Sequence, residues 1–166
     1  HQMGVDNLRI MGASEGPDNQ PWRILPSLQT APGDYKEEIL KGLDFLLWEM
    51  GKRDMKAVVC LNNYWPWSGG MSQYLSWTTG DSIPYPPPAK GGDWARYQLY
   101  TSKFFSNEQA MEAFEQYLQM LLLRENHYSG KAYRNDPTIM AWELANEPRG
   151  ILWPGQYRRW VEKTAE

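Results

Sequence analysis

The run Ile139-Met140-Ala141-Trp142-Glu143-Leu144-Ala145-Asn146-Glu147-Pro148-Arg149 reads as a buried strand that ends on an Asn-Glu pair stopped by a proline. Pro148 cannot donate to a strand ladder and biases the residue before it toward extended geometry. The strand is therefore predicted to stop there with the Glu147 side chain fixed at its rim. A carboxyl group held at that place can donate or take a proton, and the strand ends of α/β sheets are where reactive groups gather. Alternation along the strand puts Ala141, Glu143 and Ala145 on the face of Glu147, so a second carboxylate lies one step toward the interior. Arg9 is its candidate partner, because a guanidinium inside a fold needs a carboxylate and forks onto it with two hydrogen bonds. That pairing reads equally well as a structural ion pair or as a device that orients a catalytic carboxylate.

Cleavage of a glycosidic bond needs two carboxyl groups, one protonating the leaving oxygen and one acting on the anomeric carbon or on a water. Glu147 fits the donor role. Asn146 beside it can hydrogen-bond a sugar hydroxyl, and a bond to the 2-hydroxyl that strengthens in the transition state adds rate. The composition agrees: nine Trp and ten Tyr against four Phe favour rings with polar edges, which lie against sugar C–H faces as readily as they fill a core.

Other chemistries find less support. A net charge of −3 with both signs spread along the chain supplies no basic stripe, so no nucleic-acid partner is expected. No apolar run approaches 18 residues, so no membrane insertion is expected. The single cysteine, Cys60, lies in the apolar run Ala57-Val58-Val59-Cys60-Leu61 and reads as a buried inert thiol. His127 has no Cys or His at ligand spacing, so no metal or other cofactor is implied. Gly69-Gly70 and Gly91-Gly92 lack the context of a phosphate cradle, and Ser68 lacks the glycine of a nucleophile elbow.

The elements that would position these groups can be read in order. Val5–Gly12 alternates as a strand, with Leu8 and Ile10 on one face and Asn7, Arg9 and Met11 on the other. Asp34-Tyr35-Lys36-Glu37 reads as a capping box opening a helix with Ile39, Leu43, Leu46, Leu47 and Met50 at helical spacing until Gly51. Met55–Leu61 is a buried strand. Residues 62–105 show no trusted period, only aromatics, glycines and a proline run at 84–88, and a connection of that length reads as functional. Ser106-Asn107-Glu108-Gln109 is a second capping box, with Ala110, Phe114, Tyr117, Leu118 and Leu121 on one face of its helix. Pro154 suits the first turn of a last helix bearing Tyr157, Trp160 and Val161. Strand, helix, strand, helix, strand, helix is an α/β order with crossovers long enough for parallel pairing. Three strands cannot close a barrel, and a complete one needs roughly 250 residues. The 166-residue chain is thus expected to be part of a (β/α)8 TIM barrel, from just before its second strand to inside its fourth helix.

Trp142-Glu143-Leu144-Ala145-Asn146-Glu147-Pro148-Arg149, with Asn7-Leu8-Arg9 upstream, resembles glycoside hydrolase family 5. The segment Leu61–Trp77, with Asn62-Asn63-Tyr64 and Gly69-Gly70-Met71-Ser72-Gln73-Tyr74, resembles its endo-β-1,4-mannanase branch. The resemblance covers nearly the whole chain and implies one piece of a single catalytic domain over residues 1–166. It implies Glu147 as acid/base, Asn146 as the 2-hydroxyl contact, and Arg9 orienting the nucleophile. Arg149, Asn63, Trp65 and Trp67 would bind substrate, with the two tryptophans as stacking platforms. The nucleophile of that family follows a later strand, so the resemblance implies a retaining enzyme whose second carboxylate lies outside this chain and a piece that is inactive alone. It further implies β-mannan or a related plant polysaccharide as substrate and an extracellular, cell-surface or periplasmic place. A β-1,4-glucanase of the same family and a non-catalytic carbohydrate-binding barrel are the competing expectations.

Overall fold

The computed structural model describes residues 3–20 and 22–166. Three parallel strands form its main sheet: β1 (Asn7–Met11), β4 (Lys56–Cys60) and β5 (Ile139–Glu143), with β4 in the centre. A small antiparallel hairpin of β2 (Gln29–Ala31) and β3 (Asp34–Tyr35) lies in the connection after β1 and takes up Asp34 and Tyr35 of the expected capping box.

Helix α1 (Glu37–Lys52) crosses from the hairpin to β4, and α4 (Glu108–Leu123) precedes β5. Both bury one face, since parallel neighbours need crossovers that cover the sheet. In α4 the buried residues are Ala110, Phe114, Tyr117, Leu118 and Leu121, the stripe expected from spacing. In α1 the stripe is rotated: Leu40, Asp44, Leu47 and Met50 are buried, while Ile39, Leu43 and Leu46 flank them. A last helix, α5 (Pro154–Ala165), opens on Pro154 as expected and buries Trp160.

Several boundaries differ from the sequence reading, each for a local reason. Asp34 does not cap α1; it accepts from the Thr30 hydroxyl within the hairpin (2.5 Å), and Lys36 occupies the cap position without a side-chain bond to the helix. Helix α1 runs past Gly51, and Asp54 takes the positive φ of 53° in the turn that follows. The cap of α4 is Asn107 rather than Ser106, its carboxamide oxygen accepting from Ala110 N at 2.8 Å. The 62–105 connection is not irregular: it holds α2 (Gly70–Thr79) and α3 (Trp94–Ser102). Residues 70–75 of α2 are all buried, which leaves no polar face and hence no amphipathic period to detect.

The core lies between the sheet and the helices, with Ala57 and Val59 of β4 fully buried against it. On the opposite face Arg9 and Ala141 remain exposed. β5 reaches that arrangement through a register shift at Met140, which pairs Ile139 with Ala57 but Ala141 with Val58. One extra residue in a strand flips the faces of everything after it. Glu143, opposite Cys60, is thereby placed on the open face with Arg9.

Candidate active site

Glu147 is not in a strand. Regular β5 ends at Glu143, and Glu147 has φ 47°, a left-handed conformation uncommon in a residue with a side chain. This overturns the expectation of extended geometry before Pro148. The chain turns after Glu143 and returns to the sheet at Asn146, which bridges Asn63 through Asn146 N to Asn62 O (2.9 Å) and Tyr64 N to Asn146 O (3.1 Å). Backbone strain of this kind persists where surroundings hold it and gathers at functional sites. The turn leaves the Glu147 side chain 61% exposed at the C-terminal end of the sheet.

Three of the residues singled out from sequence meet on the open face. Arg9 donates through Nε and Nη2 to the Glu143 carboxylate (2.6 and 2.8 Å) and through Nη2 to Asn146 Oδ1 (2.9 Å). The bidentate fork is the one anticipated, but the pair is not buried: Arg9 is 49% and Glu143 33% exposed. The hydrogen bond that Arg9 donates to Glu143 raises the Arg9 pKa further, so the guanidinium is a permanent charge. Strict alternation would send positions 143 and 146 to opposite faces; the turn after Glu143 lets both accept from one arginine. Cys60 lies beneath, its thiol pushed up to about 11 by burial and by the Glu143 charge, which makes it inert.

Asn63 is brought close but not to the surface. It is fully buried, with its carboxamide donating to Ser68 Oγ (2.9 Å) and accepting from Trp65 N (3.1 Å) and Asn146 Nδ2 (3.0 Å). With both ends of the amide occupied, Asn63 braces Asn146 from behind instead of facing a ligand. Trp65 is nearer the chemistry than a stacking platform need be: its indole Nε1 donates to Glu147 Oε2 at 2.7 Å. Arg149 lies over the Trp65 ring (4.8 Å), donates to Gln98 Oε1 (3.1 Å) and stands 3.9 Å from Glu147. Trp67 is 38% exposed and lies off to the side.

Trp67 and Trp65 form one wall of a cavity of about 220 Å³, whose other walls are Trp22, Tyr85, Trp94 and the prolines 86–88. Arg23 ties that cavity together, donating to Glu15 O at 2.8 Å and to the Tyr85 hydroxyl. Among the described residues no group of three or more His, Cys, Asp or Glu is placed to hold a metal ion. No helix of the described residues is long and apolar enough to cross a membrane.

A strained Glu held by an indole beside an arginine-bound Asn is a specific arrangement, and known proteins share the chain around it. A family model described as GH family 5 beta-mannosidase-like matches residues 1–166. The chain belongs to glycoside hydrolase family 5. A putative mannan endo-1,4-beta-mannosidase 5 from Oryza sativa subsp. japonica is 40% identical over 128 residues, 77% of this chain and 23% of that protein. The crystal structure of a family 5 mannosidase from Rhizomucor miehei superimposes with a TM-score of 0.87 at 38% identity, over 99% of this chain and 41% of that one. An endo-1,4-beta-D-mannanase from Thermotoga petrophila RKU-1 gives 0.75 at 28% identity, over 99% and 43%. The chain thus spans from about a quarter to under a half of the length of these relatives. Its strands and helices are part of a TIM barrel, the architecture of those structures.

Within this family 5 chain, some residues near the site carried no signal in the sequence. Glu15, Ser68, Gln98 and Trp94 lie in segments without a period. Gly69 and Gly70 did carry one, as part of the segment that resembles the mannanase branch, but the residues alone do not show the backbone role the pair plays. Both have positive φ (89° and 61°), and a Cβ would fall 2.0 Å from Glu15 O at Gly69 and 2.1 Å from Asn63 O at Gly70. The pair lets three backbone segments meet where no side chain fits.

Proposed function

We propose that the chain supplies the acid/base side of the active site of a retaining endo-β-1,4-mannanase, as part of a single catalytic domain. Glu147 is the proton donor to the leaving oxygen and then the base for water. Asn146 holds the 2-hydroxyl of the sugar, and Arg9 fixes Asn146 and the charge on Glu143. Glu143 is forked by Arg9, and the nucleophile that the family resemblance implies follows a later barrel strand, outside residues 1–166. The observation that carries the reading is the exposed Glu147 carboxylate, fixed by the Trp65 indole beside the Arg9-bound Asn146.

The relatives named as mannan endo-1,4-beta-mannosidases support β-mannan as substrate and, with it, an extracellular or cell-surface place. An exo-acting β-mannosidase is the second reading. It is favoured by the description of the family model and by the Rhizomucor miehei mannosidase, a variant of which was crystallised with mannosyl-fructose. Product lengths from mannohexaose with the full-length protein separate the two, since an endo enzyme splits it into shorter oligosaccharides whereas an exo enzyme releases mannose and leaves a chain one sugar shorter.

The decisive substitution is Glu147→Gln in the full-length protein. General acid–base help is typically worth ~10²–10⁴-fold, so hydrolysis of unactivated mannan should fall by that factor while the fold melts as before. Unchanged turnover on the polymer would remove Glu147 from the mechanism.

A further inference from the structure

Glu15 is 1% exposed, yet it belongs to no helix or long strand and plays no part in the chemistry above. Its Oε2 accepts from Gly70 N at 2.8 Å and its Oε1 lies 3.3 Å from the Tyr74 hydroxyl, which is also 3.1 Å from Gln29 Oε1. Arg23 reaches only the Glu15 backbone carbonyl. A carboxyl group buried without a cation in contact is costly, and such a group persists where something depends on its hydrogen bonds.

What depends on it can be followed outward. Glu15 N donates to Ser68 O at 2.8 Å, so one residue grips residues 68–70 from both its backbone and its side chain. Ser68 Oγ accepts from Asn63, Asn63 accepts from Asn146 and from Trp65 N, Asn146 accepts from Arg9, and Trp65 donates to Glu147. Gly69 and Gly70 have no room for side chains against Glu15 and Asn63, so the grip is made at backbone contact.

We infer that Glu15 is a positioning residue, whose buried carboxyl group sets the orientation of the Asn146 carboxamide and the Trp65 indole by anchoring residues 63–70. This rests on the reading of Glu147 as acid/base and Asn146 as the sugar contact. The alternative is a residue that merely stabilises the fold.

The test is a double-mutant cycle in the full-length protein, read on mannooligosaccharide hydrolysis. Glu15→Ala should lower kcat about tenfold or more with KM little changed, the pattern of an interaction lost in the transition state. In an Asn146→Ala background the same substitution should add little, because residues acting through one network are non-additive. Glu15→Gln, which keeps an oxygen for Gly70 N–H, should recover most of kcat, and Glu15→Asp, one methylene shorter, should not. The Trp65 indole ¹H–¹⁵N resonance gives a readout independent of turnover and should move in Glu15→Asp but not in Glu15→Gln. If Glu15→Ala does not fold, the Gln and Asp variants carry the comparison. Loss of kcat additive with Asn146→Ala, or an Asp variant with wild-type kcat and an unmoved Trp65 signal, overturns the proposal. Should Glu147→Gln remain active, the functional reading fails while the Trp65 resonance still decides the role of Glu15.

Discussion

Among the described residues, two of the buried carboxylates, Asp44 and Glu15, are held in opposite ways. Asp44 on α1 is forked by Arg124 (2.9 and 2.5 Å) and accepts from the Tyr133 hydroxyl (2.6 Å), while Arg124 reaches on to Glu37. Asn126 donates to the Asp44 carbonyl, so the cluster ties α1 to the end of α4 and the turn at 133–135. Glu15 has a backbone amide and a phenol but no guanidinium on its carboxyl group. Burial would push the Asp44 carboxyl up, but the Arg124 and Tyr133 hydrogen bonds prevail and hold it below the ordinary range. Burial of Glu15 is only partly offset by the Gly70 amide and the Tyr74 hydroxyl, and its carboxyl rises to about 7. The complete ion pair joins α1 to residues 124 and 133, and the acid without a cation holds residues 68 and 70, next to the chain of hydrogen bonds from Ser68 through Asn63 to Asn146. Stability is built where charges are matched; the site is braced by a group that the fold holds at a cost.

Removing the Asp44 carboxylate strands Arg124 without its principal partner. Breaking one side of a buried pair costs about 3–5 kcal/mol, so Asp44→Ala in the full-length protein should lower denaturant stability by that amount with kcat per folded molecule unchanged. The matched test is Arg9→Ala, whose partners Glu143 and Asn146 are part exposed in this chain; it should cost turnover more than stability. If Asp44→Ala lost activity at constant stability, or Arg9→Ala did the reverse, the division between bracing and site would be wrong.

The same pair of carboxylates sets opposite pH slopes. Glu15 has a folded pKa of about 7 against an unfolded value of 4.5; the folded state binds more protons across that window, and stability falls as pH rises through it. The change is on the order of 3 kcal/mol. Asp44 is depressed, so its contribution is present above the ordinary aspartate pKa and is lost as pH falls below it. Burial sets the Glu15 value, opposed by the Gly70 amide, the Tyr74 hydroxyl and the Arg23 charge. Melting temperature against pH should therefore decline from about pH 4.5 to above 7 in the parent protein, and Glu15→Gln should flatten that decline. An identical slope in both would assign the pH dependence elsewhere.

How much of this could be read from residues alone varied with how local the cause was. The α4 stripe, Pro154 at the start of α5 and the Arg9–Glu143 fork follow from spacing and side-chain chemistry, and the structure contains each of them. Helix α3 was legible in principle, since Asp93 accepts from Ala95 N and Arg96 N as a helix cap should. Helix α2 was not: it starts on two glycines with no capping side chain and is buried on all sides over its first six residues. The left-handed turn at Glu147 runs against the preference of a residue before proline, because the backbone bridge at Asn146 and the indole of Trp65 impose it. Glu15 sits in a segment without periodicity, and only the three-dimensional meeting with Gly70 reveals it.

The smallest expected effect concerns the aromatic wall, where exposure separates two tryptophans close in sequence. Trp65 is locked by its bond to Glu147 and by edge contacts with Tyr64 and Trp94 at 5.5 and 5.6 Å. Trp67 is 38% exposed; its backbone carbonyl accepts from Ile24 N at 2.7 Å, and among the described residues its side chain makes no hydrogen bond. Its side chain is therefore free to cover a sugar ring without disturbing Glu147. Trp67→Ala should weaken mannooligosaccharide binding to the full-length protein by roughly 1–3 kcal/mol, the scale for burying a large apolar side chain, with melting temperature and kcat nearly unchanged. Trp65→Ala, by contrast, should lower kcat, because it frees the Glu147 carboxylate. A calorimetric titration of both variants separates the two roles. If Trp67→Ala lowers the melting temperature and leaves affinity intact, its ring belongs to the packing of the 17–28 and 80–93 segments, and the cavity beside Glu147 is not a sugar-binding wall.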